Sequence, residues 1–214
     1  MREAVIEAVR EHKLIVILRK IDEKKLVPLC EALYRGGVRL VEVTYPQGED
    51  DTATANAIKN LAEHFGGRML IGAGTVLTEK QAELTKAAGG RFIISPNVNC
   101  AVIKKTVESG LVSMPGALTP TEIETAHEAG ADFVKLFPIS SLGPEYVKAV
   151  RAPLSAVELL AVGGVDLNNM ADYRKAGACG FGIASSITDK KMIAEENYEG
   201  IEALARAYVE AAKG

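Results

Sequence analysis

Apolar positions along this chain follow two alternating rhythms. Short runs rich in β-branched residues recur at Leu14–Arg19, Arg39–Thr44, Met69–Ala73, Arg91–Ser95, Leu111–Met114, Asp132–Phe137, Val157–Val162 and Gly180–Ala184. Each gives way to a polar turn and then to a stretch with apolar residues every three or four positions, as in Glu23–Arg35, Thr54–Phe65, Glu79–Ala88 and Thr121–Ala129. The first rhythm is that of buried strands and the second that of amphipathic helices. Helix boundaries carry their own marks. Gly36, Gly89, Gly110, Gly130 and Gly177 sit where helices should close. Thr78, Thr119 with Pro120, Gly143 with Pro144, and Asp166 sit where they should open.

Strands alternating with helices at a step of roughly 20–30 residues imply a parallel sheet. Eight such units usually close into a (β/α)8 barrel, so the expected fold is α/β, a single TIM barrel spanning residues 1–214. An extra amphipathic helix within Met1–His12 should precede it, and a helix over Ile193–Ala212 should follow. A doubly wound open sheet is the alternative architecture. In a barrel the chemistry lies at the C-terminal ends of the strands. Polar residues within strands, or just past them, therefore carry the functional signal.

Two such residues stand out. In Asp132–Phe137 the two-residue period puts Phe133, Lys135 and Phe137 on one face and Val134 and Leu136 on the other, which suits packing against helices. Lys135 then points into the barrel between two rings. Burial lowers the pKa of an amine, and a neutral amine is what Schiff-base chemistry with a ketone requires. In Arg39–Thr44, Leu40, Glu42 and Thr44 share a face, which places a carboxylate inside a second core strand. A buried amine and a buried carboxylate make a nucleophile and acid/base pair, or else a structural ion pair.

Other strand ends offer binding groups. Arg19 follows Ile15 and Ile17 in phase, and its planar fork suits a carboxylate. Gly72–Thr75 ends in a hydroxyl, and Pro96 and Pro115 form rigid corners. Val162, Gly163 and Gly164 end the seventh run and Ser185 follows the eighth, at the place where barrels often hold phosphate. Gly-Gly alone could be only a turn.

Composition narrows the classes. Hydrophobic residues make up 48% and charged residues 25% of 214, with a net charge of -3. Those proportions suit a globular protein with a real core and leave no footprint for nucleic acid or an anionic membrane. Cys30, Cys100 and Cys179 lack metal or redox spacing and read as buried free thiols in a reducing cytoplasm. His12, His64 and His127 read as surface residues, so no metal site is expected.

These motifs together resemble the 2-keto-3-deoxy-6-phosphogluconate / 4-hydroxy-2-oxoglutarate (KDPG/KHG) aldolase family. The resemblance rests on Val-Glu-Val-Thr at 41–44, Gly-Ala-Gly-Thr-Val at 72–76, Ile-Ser-Pro-Asn at 94–97, Met-Pro-Gly at 114–116, Val-Lys-Leu-Phe-Pro at 134–138 and Val-Gly-Gly-Val at 162–165. It implies Lys135 as Schiff-base lysine and Glu42 as general acid/base. It further implies Thr75 and Pro96 around pyruvate, and Gly163, Gly164 and Ser185 around a phosphate. The expected protein is a cytoplasmic homotrimer, with no metal or organic cofactor, that cleaves a phosphorylated keto-deoxy sugar acid to pyruvate and glyceraldehyde 3-phosphate. A 4-hydroxy-2-oxoglutarate aldolase, a phosphosugar isomerase or epimerase, and a non-catalytic phosphosugar-binding barrel are the alternatives.

Two departures qualify the resemblance. Some members carry an Arg shortly after the strand-two Glu-Val-Thr, where this chain has Tyr45-Pro46-Gln47, so the carboxylate role moves to Arg19. Val162 stands where members of the phosphogluconate type often have Thr, as in members of the phosphogalactonate type. The acidic segment Gln47–Thr54 reads as an extended loop beside Glu42.

Overall fold

The computed structural model describes residues 2–48 and 50–214. Met1 and Glu49, which belong to the expected segments Met1–His12 and Gln47–Thr54, lie outside the described residues. The chain runs α1 (Arg2–His12), β1 (Leu14–Leu18), α2 (Glu23–Arg35), β2 (Leu40–Thr44), α3 (Asp51–Phe65), β3 (Leu70–Gly74), α4 (Glu79–Ala87), β4 (Phe92–Ile94) and α5 (Cys100–Glu108). It continues β5 (Val112–Met114), β6 (Gly116–Ala117), α6 (Pro120–Glu128), β7 (Val134–Leu136), α7 (Gly143–Arg151), β8 (Leu159–Val162), α8 (Met170–Lys175), β9 (Gly180–Ile183), α9 (Lys190–Ala194) and α10 (Tyr198–Lys213).

All the paired strands are parallel, in the order β5-β4-β3-β2-β1-β9-β8-β7-β6. The two ends of that order are halves of one extended segment, divided by Pro115. Met114 pairs with Ile94 on one side, and Gly116 pairs with Lys135 on the other. Pro115 has no N–H, but its carbonyl accepts the Lys135 N–H at 2.9 Å. The fifth unit thus bridges the gap, and the result is an eightfold α/β barrel rather than an open doubly wound sheet.

The alternation in each strand separates two cores. Leu14, Val16, Leu18, Val41, Val43, Val134 and Leu136 pack outward beneath the helices. Ile15, Ile17, Leu40, Phe92, Ile94, Phe133, Leu160 and Val162 fill the interior. Val5, Ile6 and Val9 of α1 join that interior cluster and stop its N-terminal end. An Arg2–Asp132 ion pair at 2.6 Å and an Arg10–Glu158 pair at 2.7 Å fasten the helix there. The opposite, C-terminal end is left for chemistry.

Several boundaries differ from those the sequence suggests. α3 starts at Asp51, not Thr54, because Asp50 caps it through the Thr52 N–H at 3.1 Å; the expected extended loop is therefore short. Gly36 is right-handed at φ −70° and Gly37 takes the left-handed position. Gly36 is required by packing instead: a Cβ there would lie 2.5 Å from that of Ala205 on α10. Asp166 caps only a turn, through the Asn168 N–H at 2.8 Å, and α8 begins four residues later at Met170. The single helix expected over Ile193–Ala212 is two, because Glu196 turns left-handed and Asn197 caps α10.

Candidate active site

Lys135 sits in β7 with its neighbours Val134 and Leu136 committed to the outer core and Phe133 to the inner. Its side chain is directed inward and only 6% of the residue is exposed. The Nζ lies 4.3 Å from the Phe137 ring centroid. Burial lowers its pKa, Arg19 adds to that, and Glu42 opposes it.

Glu42 projects inward from β2 and is 1% exposed. Its carboxylate lies over Gly74, where a Cβ would come within 2.5 Å of Oε1. The glycine of β3 is what makes room for the acid. Burial raises the Glu42 carboxyl to about 7, against the pull of Lys135 and Arg19. Its Oε2 is buried without a hydrogen-bond partner. Among the described residues no ion pair within 4.0 Å joins Glu42 to Lys135, although the charge of each acts on the other. Both residues line one small void with Ile15, Ile94 and Leu160.

Above it opens a cavity of about 690 Å³ at the C-terminal end of the strands. Arg19, Lys135, Val162, Gly163, Gly164 and Ser185 all line it. Gly163 and Gly164 have φ of 96° and 74°. A Cβ on Gly164 would lie 2.7 Å from that of Ser140, so this turn tolerates no side chain there. Thr75 and Pro96 are not part of that wall. They follow β3 and β4, and Thr75 is left-handed at φ 57°. Tyr45, in the segment where some relatives of this pattern carry Arg, turns away from the cavity. It is buried, with its hydroxyl 3.1 Å from Thr85 Oγ1 and donating to the Gln81 carbonyl at 3.3 Å.

Other wall residues escaped the sequence reading: Lys20, Asp22, Lys25 and Lys190, contributed by the loop after β1, by α2 and by α9. The only local signal was the run of cations beside the Asp22 and Asp189 caps. Lys25 is tied down, its Nζ donating to the carbonyls of Ile193 at 3.0 Å and Ala194 at 3.1 Å.

The remaining candidates need small corrections. Cys30 is buried, whereas Cys100 and Cys179 are partly exposed; burial still pushes the Cys179 thiol up to about 12. His12 is half-buried, and that burial lowers its pKa. Among the described residues no cluster of three His, Cys, Asp or Glu could hold a metal, and no helix is long and apolar enough to cross a membrane.

Fold and site together define a (β/α)8-barrel protein with a buried amine and carboxylate beneath a cationic mouth. The family model "KDPG and KHG aldolase" matches residues 5–204. The "Probable 2-dehydro-3-deoxy-6-phosphogalactonate aldolase" of Rhizobium meliloti is 39% identical over 199 residues, 92% of each chain. The Escherichia coli 2-dehydro-3-deoxy-6-phosphogalactonate aldolase is 36% identical, over 92% of this chain and 95% of its own. Among solved structures, "Native KDPGal structure" superposes with a TM-score of 0.82 at 35% identity, covering 94% of this chain and 96% of that one. KDPG aldolase from Legionella pneumophila, with pyruvate captured as a covalent carbinolamine, gives 0.84 at 27% identity over 97% of each. The chain belongs to the KDPG and KHG aldolase family and is a carbon–carbon lyase.

Proposed function

We propose that this aldolase works through a Schiff base on Lys135 and cleaves a 2-keto-3-deoxy sugar acid phosphate to pyruvate and glyceraldehyde 3-phosphate. The observation that carries the reading is the facing of a buried, pKa-lowered amine and a buried carboxyl raised to about 7 across one void. Two groups tuned towards neutrality from opposite directions suit nucleophile and proton shuttle. Neutral Lys135 adds to the C2 ketone, and loss of water leaves a protonated imine. Glu42 takes the C4 hydroxyl proton, the C3–C4 bond breaks, and its electrons move through C3 to the imine nitrogen. Glyceraldehyde 3-phosphate leaves and an enamine remains. Glu42 returns the proton to C3, and water hydrolyses the imine to pyruvate and free Lys135.

Arg19 holds the keto-acid carboxylate in this reading, and Gly163, Gly164 and Ser185 hold the phosphate. Thr75 and Pro96 border the pyruvate end from the β3–β4 side. Val162 and the names of the two relatives above favour the phosphogalactonate-type C4 epimer. The same reading takes the chain as a cytoplasmic homotrimer, whose mass light scattering would report.

Borohydride reduction with pyruvate tests the core of the proposal. A pyruvyl adduct mapped to Lys135 by peptide mass spectrometry is expected; folded protein without one would end the Schiff-base reading. Arg19→Leu tests the carboxylate role. Charge-assisted hydrogen bonds contribute about 1.5–3 kcal/mol. The variant should therefore lose roughly 10- to 100-fold in kcat/KM, mainly through KM, and still form the adduct at saturating pyruvate. An unchanged KM would remove Arg19 from binding.

A further inference from the structure

We propose that Lys20 and Lys190 form a side-chain anion lobe that selects phosphorylated over unphosphorylated substrates, in addition to the backbone cradle at Gly163 and Gly164. The inference rests on the aldolase reading above and deepens it.

Topology brings the segments that carry the two lysines to one mouth. β1 and β9 are hydrogen-bonded neighbours, with Ile15 opposite Gly182 and Val16 opposite Ile183. The segments leaving them therefore emerge side by side at the mouth. Lys20 follows β1, Lys190 opens α9 after β9, and both line the cavity that Ser185 lines. α9 is held against α2 by Lys25, whose Nζ donates to the Ile193 and Ala194 carbonyls. That tether fixes the segment from which Lys190 projects.

Charge singles these two out. The chain has a net charge of -3, yet its cavity wall carries Arg19, Lys20, Lys25 and Lys190 besides Lys135, against Asp22 as the one carboxylate. Asp22 already accepts the Lys24 N–H at 2.9 Å as the cap of α2. Lys25 is occupied with α9, and Arg19 is assigned to the keto-acid end. Lys20 and Lys190 are exposed and, among the described residues, their side chains make no ion pair or hydrogen bond. Asp189, beside Lys190, is itself engaged with the Met192 N–H at 2.8 Å.

Lys20 has φ 54°, in the left-handed region that glycine adopts without cost and L side chains rarely enter. Lys13 and Glu196 share this conformation away from the mouth, so it marks no site by itself; it makes Lys20→Gly a variant that removes the cation without straining the backbone. A concave wall of one sign raises the local concentration of an anion and favours the phosphorylated ligand in proportion to its charge.

The test is the double variant Lys20→Gly with Lys190→Gln, assayed in condensation with pyruvate. The readout is the ratio of kcat/KM for glyceraldehyde 3-phosphate to that for glyceraldehyde. Wild type should prefer the phosphorylated aldehyde, and the variant's ratio should fall by about tenfold or more, with a flatter dependence on salt. An unchanged ratio overturns the proposal, including the case in which both substrates slow equally. Titration with inorganic phosphate gives a second measurement that needs no turnover: affinity should drop in the variant, and equal affinity again overturns the lobe. Failure of the aldolase reading shows elsewhere, as absence of the pyruvyl adduct in wild type, so the two failures are told apart.

Discussion

Lys135→Met should give a folded barrel that has lost aldol turnover, with kcat/KM lower by roughly 10^4-fold or more and no borohydride-trapped adduct. Thermal stability should hold or rise. The substitution removes an amine that is 6% exposed, set against an aromatic ring and without an ion-pair partner among the described residues. Methionine fills nearly the same length without a group that must be desolvated. Exchanging a buried polar group without a partner for a well-packed apolar chain removes a desolvation cost of about 1–3 kcal/mol. The two effects run in opposite directions, which is how a functional lysine differs from a structural one. Melting curves and the trapping assay on the same preparation decide between them. Turnover within about tenfold of wild type would remove Lys135 from the chemistry, and a large loss of stability would make it a structural residue.

Lys135 and Glu42 were legible in the sequence because a strand has only two faces. Once Val134 and Leu136, or Val41 and Val43, are given to the helices, the residue between them must point inward. Arg19 follows from the same phase, two residues beyond Ile17. The Gly163-Gly164 turn and Ser185 were legible because barrel strands end on a common rim, and the structure brings all of them to one cavity. Membership of that wall is a different matter from position on the rim. Thr75 and Pro96 follow their strands as expected, but neither is among the residues that line the cavity. Lys20 and Lys190 were illegible because each lies past the end of its strand, beyond the two-residue phase that singles out inward side chains. The closure that sets β1 beside β9 is expected of a barrel, but its detail is not: it runs through a two-residue strand, Gly116–Ala117, too short to leave a periodic trace. Helical periodicity likewise runs unbroken through Glu196, where the chain in fact turns left-handed and separates α9 from α10.

Glu42→Gln should separate imine formation from bond cleavage. The amide keeps the size of the side chain but cannot shuttle a proton, so kcat should fall on the order of 10^2- to 10^4-fold, while pyruvate is still trapped on Lys135. The same substitution should also change how stability depends on pH. The Glu42 carboxyl lies at about 7 in the fold against an ordinary 4.5, because burial disfavours its charged form. Between those values the native state binds more protons than the unfolded chain, so stability falls as pH rises through the window. The favourable contribution is fully present below about 4.5 and lost once pH passes about 7. Its size is no more than about 3 kcal/mol. Gln has no such titration, although its buried amide adds a constant cost wherever its N–H groups find no acceptor. The stability difference between variant and wild type should therefore move in the variant's favour as pH rises from about 5 to about 8. Parallel curves would mean that Glu42 ionises as an ordinary surface acid does, and the carboxyl would then lack the tuning that a two-way proton transfer near neutral pH requires.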